Sequence, residues 1–165
     1  MPNTYTLIAS NTLSTAAASI TFSSIPATYT DLLLVTSVRE ATTDSYTATL
    51  KFNASTTTYT QRNLQGSGSA VSSASPTDIE IMANGSTSTA NTFSNSSVLI
   101  PNYAGSNFKS VSVDSVTEAN VTLAFTRLGA NLWSNTAAIT SISIQTASGN
   151  LAQYTTAYLY GISKT

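Results

Sequence analysis

The sequence predicts an all-β protein: an antiparallel two-sheet sandwich, jelly-roll-like, with about ten strands in a single domain over 1–165. Three observations predict it. Apolar residues recur at period two, helical periodicity is nearly absent, and turn formers cut the chain into short runs. A chain of 165 residues buries roughly two-thirds of its unfolded surface, enough for one core without staples.

The strands are read over 4–9, 17–22, 31–39, 46–53, 57–64, 77–83, 96–101, 108–117, 121–128, 138–146 and 152–162. The first follows Met1-Pro2-Asn3 directly. The third holds Leu32, Leu33, Leu34 and Val35, apolar on both faces. Either it is a central strand covered on both sides, which the buried-run rule favours, or it lies at a subunit interface. In the fourth, Tyr46, Ala48, Leu50 and Phe52 alternate with Thr47, Thr49 and Lys51. Ile79 and Ile81 alternate with Asp78, Glu80 and Met82, and Val111 and Val113 with Ser110, Ser112 and Asp114. Ile142 and Ile144 alternate with Ser141, Ser143 and Gln145. Each such strand has one apolar and one polar face, mostly hydroxylated, as in a sheet with one face on a core. Thr suits the pleat through its branched β-carbon, while Ser suits turns and solvent positions.

The last strand places Tyr154, Tyr158 and Tyr160 on one face and Ala157 and Leu159 on the other. The plainer reading is aromatic core plus rim; the sharper is an intersubunit or ligand-facing stripe, because Tyr joins apolar bulk to a polar tip. Turns fall at Ser24-Ile25-Pro26, Gly66-Ser67-Gly68, Asn84-Gly85-Ser86, 102–107 and Ser148-Gly149-Asn150. The stretches 66–76 and 84–97 are small and polar, hence long loops. No composition shift marks a domain boundary and no repeat is evident.

About a third of the residues are Ser or Thr, against six basic, seven acidic, no His and no Cys. Net charge is −1, and the basic residues are scattered. Nucleic-acid binding draws on clustered cations, so no nucleic-acid partner is expected. No stretch approaches eighteen apolar residues and no secretory signal is visible, so no membrane partner is expected. Without His there is no imidazole base and no Ser-His-Asp set; without Cys there is no thiol nucleophile or zinc cage. Ile162-Ser163-Lys164 reads as a tail. Asp78 with Glu80, and Asp114 with Glu118, are close carboxylate pairs, and both read as solvated surface charges rather than hydrolase acids. Isolated Asp residues form no calcium loop, and no phosphate loop exists. No enzyme activity, catalytic residue, metal or cofactor is therefore expected. Four sequons (Asn53, Asn84, Asn95, Asn120) are the number chance gives in so hydroxylated a chain. Trp133 with Asn131 and Asn135 offers a carbohydrate-type aromatic platform on one loop; the competing reading is a Trp plugging the end of the sandwich.

Three stretches carry a resemblance: Thr4–Ser10 through Ile25–Val35, Leu99–Tyr103, and Leu132–Ile142 through Gly149-Asn150 to Tyr158–Ile162. Together they resemble small all-β virion proteins of tailed bacteriophages, of the type frequent in aquatic phages. The resemblance implies a capsid decoration, or cement, protein. Such proteins sit on the capsid exterior, bind the major capsid protein lattice, often form homotrimers at three-fold positions, and are made in the host cytoplasm. It transfers no catalytic residue. Candidate interface residues are Leu32–Val35, Tyr154, Tyr158, Tyr160 and the segment Met1–Ala9. The alternatives are a receptor- or glycan-binding module of a tail fibre, spike or head fibre, and a glycan hydrolase.

Overall fold

The structure, a computed structural model, describes residues 4–120 and 124–163. Twelve strands are formed among them: β1 (Tyr5–Thr12), β2 (Ser19–Phe22), β3 (Asp31–Val38), β4 (Thr47–Phe52), β5 (Tyr59–Gly66), β6 (Val71–Ala74), β7 (Ile79–Met82), β8 (Ser94–Pro101), β9 (Lys109–Thr117), β10 (Phe125–Trp133), β11 (Ile142–Thr146) and β12 (Thr156–Ile162). One sheet has eight strands in the order β1-β12-β3-β8-β9-β10-β5-β6; the other has four, β2-β11-β4-β7. All pairings between named strands are antiparallel.

The order contains a jelly roll. Strands β1-β12-β3-β8 face β2-β11-β4-β7, with the chain passing between the sheets as paired Greek keys require. The rest come from two inserted hairpins, β5–β6 between β4 and β7 and β9–β10 between β8 and β11. They extend the first sheet past β8 as an annex. The alternating runs supply the core: Leu32, Leu34, Val98, Ile100, Ala157 and Leu159 from one sheet meet Ile20, Phe22, Leu50, Phe52, Ile79, Ile142 and Ile144 from the other. β3 is a central strand between β12 and β8, but only one of its faces is covered: Leu33 and Val35 point outward.

The smaller sheet is narrower, so β7 ends above the annex with one edge open. Side chains from the annex close that edge. Ser115 Oγ accepts from the Met82 N–H at 3.3 Å, and Gln61 Nε2 donates to the Glu80 carbonyl at 3.3 Å. Arg127 is buried, reaches the Glu80 carboxylate at 2.9 Å and holds Gln65 Oε1 at 2.6 Å through Nη2. Burial lowers the Arg127 pKa, opposed by the Glu80 charge. A polar interior here is what an uncapped strand edge under a wider sheet demands, since buried backbone groups must be paired.

Several boundaries differ from the sequence reading. The stretch 66–76 is not all loop, because β6 forms within it; its four residues are exposed on both faces and show no burial alternation. In 84–97, β8 begins at Ser94. Ser94 and Ser96 point inward, so they look like loop residues but act as strand residues. Ser94 Oγ lies 2.9 Å from the Val38 carbonyl and 2.8 Å from that of Met82; Ser96 receives the Ser115 hydroxyl at 2.6 Å. The strand expected over 121–128 is β10, shifted to Phe125–Trp133; 121–123 lie outside the described residues, as do Met1–Asn3 of the suggested N-terminal segment and Lys164 of the tail. β12 starts at Thr156, after Tyr154 with φ 69°.

The three stretches that carry the resemblance meet at one end of the sandwich. Tyr103, fully buried, bonds the Pro26 carbonyl through its hydroxyl, and its own carbonyl receives the Ile139 N–H at 2.9 Å. The Tyr29 ring lies so close over Gly161 that an added Cβ would sit 2.3 Å from it. These residues build the fold rather than a site.

Candidate binding face

The two outer faces of the sandwich differ in chemistry. On the smaller sheet, the outward phase reads Ser19, Thr21, Ser143, Gln145, Thr47, Thr49, Lys51 and Glu80, the hydroxylated surface expected. The outward phase of the larger sheet carries apolar side chains among its polar ones. Among the described residues, ten large apolar side chains are exposed, and all but Phe108 and Tyr154 lie on it.

Cross-strand register assembles them. Directly paired residues share a face, with Cβ atoms about 5 Å apart. Leu7 on β1 pairs with Tyr160 on β12, Tyr160 with Leu33 on β3, and Leu33 with Leu99 on β8. That makes an unbroken apolar row across four strands. The neighbouring row holds Tyr158 and Val35, then passes Ser97 and Asp114 to Leu128 and Leu64 on the annex. Val116 and Val71 extend it toward β6. Leu7, Leu64 and Leu128 are each about half exposed, at 51%, 52% and 55%. Shallow clefts mark the face. One, of about 260 Å³, is lined by Tyr5, Leu33 and Tyr160; another, of about 220 Å³, by Leu64, Gly66, Val71, Thr126 and Leu128. The charged groups in this outward phase are Asp31, Asp114 and Arg62.

The candidate interface residues divide by phase. Leu33, Val35, Tyr158 and Tyr160 lie on the face. Leu32 and Leu34 do not: both are fully buried in the core and cannot touch a neighbour. Tyr154 stands outside β12, exposed on the loop before it, because its left-handed backbone ends the strand phase. The aromatic-core reading of the last strand is corrected too. Its core phase is Ala157, Leu159 and Gly161, and Tyr158 and Tyr160 point outward. Tyr5 and Leu7 of the candidate segment Met1–Ala9 also lie on the face, whereas Leu64, Val71, Leu99, Val116 and Leu128 were not singled out by sequence. Their signal was one apolar residue in the polar phase of each strand; only strand order joins such residues into a surface.

The carbohydrate platform is not formed. Trp133 closes β10, is 1% exposed and packs in the core against Phe52 and Tyr59, at ring separations of 5.6 and 6.3 Å. Asn131 is buried on the same inward phase, its amide donating to the Val111 carbonyl at 3.1 Å, and Asn135 bonds the Ala137 N–H at 2.8 Å. The Trp plugs the sandwich because β10 runs through 131–133 as a strand, where a loop was read. The Tyr59 hydroxyl, accepting from the Phe52 N–H at 2.8 Å, has its pKa raised by burial.

The carboxylate pairs are separated by their partners. Asp78 is bound to Lys51 and Glu80 to Arg127. Asp114 lies on the outer face, and Glu118 bonds the Asn120 N–H at 2.8 Å. Among the described residues no group of His, Cys, Asp or Glu is placed to hold a metal ion. The sequon Asn53 is consumed structurally, bonding the Thr140 N–H at 2.8 Å and the Ala138 carbonyl at 2.8 Å. Comparison with family models, curated proteins and solved structures found no match.

Proposed function

We propose that this chain is a structural virion protein of a tailed bacteriophage, a decoration or cement protein that seats its eight-stranded sheet on the outside of the major capsid lattice. One observation carries the reading: a broad, nearly uncharged sheet face that collects the exposed apolar residues of the strands, on a scaffold with no assembled nucleophile, base or metal set among the described residues. The resemblance to virion proteins supports it. At strand spacing and rise, the face measures roughly 900 Å² in plan, comparable to the ~800 Å² each partner gives a standard interface. A protein that binds the assembled lattice and not free subunits stabilises the lattice by mass action, and many copies add through multivalency. On this reading it is no enzyme, it lies on the capsid exterior, and copies meet at three-fold positions.

The test is co-sedimentation with expanded heads. The wild type is expected to bind at hundreds of copies per particle, the number a lattice offers. Leu7→Asp with Leu99→Asp, both exposed, is expected to abolish binding while the circular dichroism spectrum and melting midpoint hold. A wild type that ignores heads, or is present in a handful of copies, overturns the decoration role. Undiminished binding by the double variant overturns the face.

A further inference from the structure

β6 is unlike the other strands. Its four residues, Val71, Ser72, Ser73 and Ala74, are all exposed, so the strand buries nothing within one copy and is held by pairing with β5. It closes the larger sheet on one side. Edge strands invite pairing with another chain, and proteins blunt them with charges, prolines, bulges or covers. The other edges carry such devices or anchors. β1 has a register break between Leu7 and Ala9, β7 is capped by Ser115 and Gln61, and β2 is pinned by buried Ile20 and Phe22. β6 has none: residues 66–75 contain no charge and no proline.

Hydrogen-bond phase shows which groups are on offer. The Ser67 N–H donates to the Ala70 carbonyl at 2.9 Å across the turn, and the Ala74 N–H bonds the Asn63 side chain of β5 at 3.0 Å. Ala70, Ser72 and Ala74 therefore turn their backbone groups toward β5. Val71 and Ser73 turn theirs, two N–H and two C=O, to the open side.

We propose that β6 is a self-pairing edge, by which a second copy of this chain adds its own β6 antiparallel to the first and makes one continuous sixteen-stranded sheet. Antiparallel pairing of identical strands is isologous, so the contact closes on a two-fold axis. In this register Val71 pairs with Ser73 of the second copy, through four N–H···O bonds in all. Ser72 faces its own copy across the axis. No like charges meet, because the segment has none. Val71 also continues the Leu64 and Leu128 patch, so pairing would join the apolar faces of both copies. The contact is distinct from any three-fold contact on a capsid.

The experiment exploits a chain without cysteine. Ser72→Cys places two sulfurs at a non-hydrogen-bonded antiparallel pair, where Cα atoms stand about 4.5 Å apart, within disulfide reach. Under mild oxidation it is expected to yield a covalent dimer, while Ser19→Cys, exposed on the other sheet, is not. Ser73→Pro removes an outward N–H without touching the β5 ladder. It is expected to weaken concentration-dependent dimerisation, read by sedimentation velocity, by roughly tenfold or more, with an unchanged melting midpoint. A wild type monomeric throughout, no cross-link at Ser72→Cys, or undiminished dimerisation of Ser73→Pro each overturns the proposal. It does not rest on the virion reading. A monomer that binds heads overturns the edge pairing alone, and a β6-linked dimer that ignores heads overturns the virion reading alone.

Discussion

At the scale of single residues, several inward-facing polar groups are held by specific partners. Ser94 bonds carbonyls of β3 and β7, and Lys109, fully buried, donates to the carbonyls of Gly105 and Asn107. Burial lowers the Lys109 pKa and raises those of Tyr59 and Tyr103. The signs oppose each other. A buried Lys releases its proton in the folded state first, so its contribution to stability rises with pH toward its unfolded value. A buried Tyr keeps its proton longer when folded, so its contribution is complete below the unfolded pKa near 10 and is lost as pH rises beyond it. Tyr103→Phe isolates one of these. At neutral pH it should cost about 1 kcal/mol for the lost bond to the Pro26 carbonyl. Above pH 10 the gap from wild type should narrow, because only the wild type still loses the Tyr103 contribution. Urea titrations at both pH values check this, and a gap that widens with alkali refutes it.

At the scale of elements, β4 was legible because its inward phase, Ala48, Leu50 and Phe52, is fully apolar, and β9 because Val111 and Val113 alternate at its centre. β8 was misread at its start because its first inward residues are serines whose partners lie on other strands. β6 was missed because nothing about it is buried. Trp133 was placed on a loop because Asn131 and Asn135 look like loop residues, whereas Asn131 is an inward strand residue in the seam beneath β7. The loop after Asn84 was legible as polar, but not as ordered. Arg39 organises it, donating to the carbonyls of Ser86, Ser88, Thr89 and Thr92 at 2.8–3.0 Å, while Asp44 receives the Thr87 N–H at 2.9 Å. Arg39→Met should leave those carbonyls without their donor and lower stability by about 2–4 kcal/mol. Limited proteolysis should then cut within 86–92 several-fold faster than in the wild type; equal rates would remove Arg39 as the organiser.

At the scale of the molecule, the two unlike faces make an amphipathic plate. The native protein should enhance the fluorescence of a hydrophobic dye without any unfolding, as exposed apolar patches do. Leu64→Glu with Leu128→Glu should remove much of that signal at an unchanged melting midpoint; retained fluorescence would place the dye elsewhere. The sequence held both faces in its alternating phases, but the strand order that sums one set into a surface was set by long-range pairing. The longest of those pairings has a consequence in time. β1 is held by β12, and Thr12 meets Thr156 across 144 positions of chain. At roughly 5–20 residues per second of synthesis, β1 leaves the ribosome several seconds or more before its partner exists. Until then an uncharged strand bearing Tyr5 and Leu7 has no sheet to join, so the arrival of β12 is what closes the jelly roll.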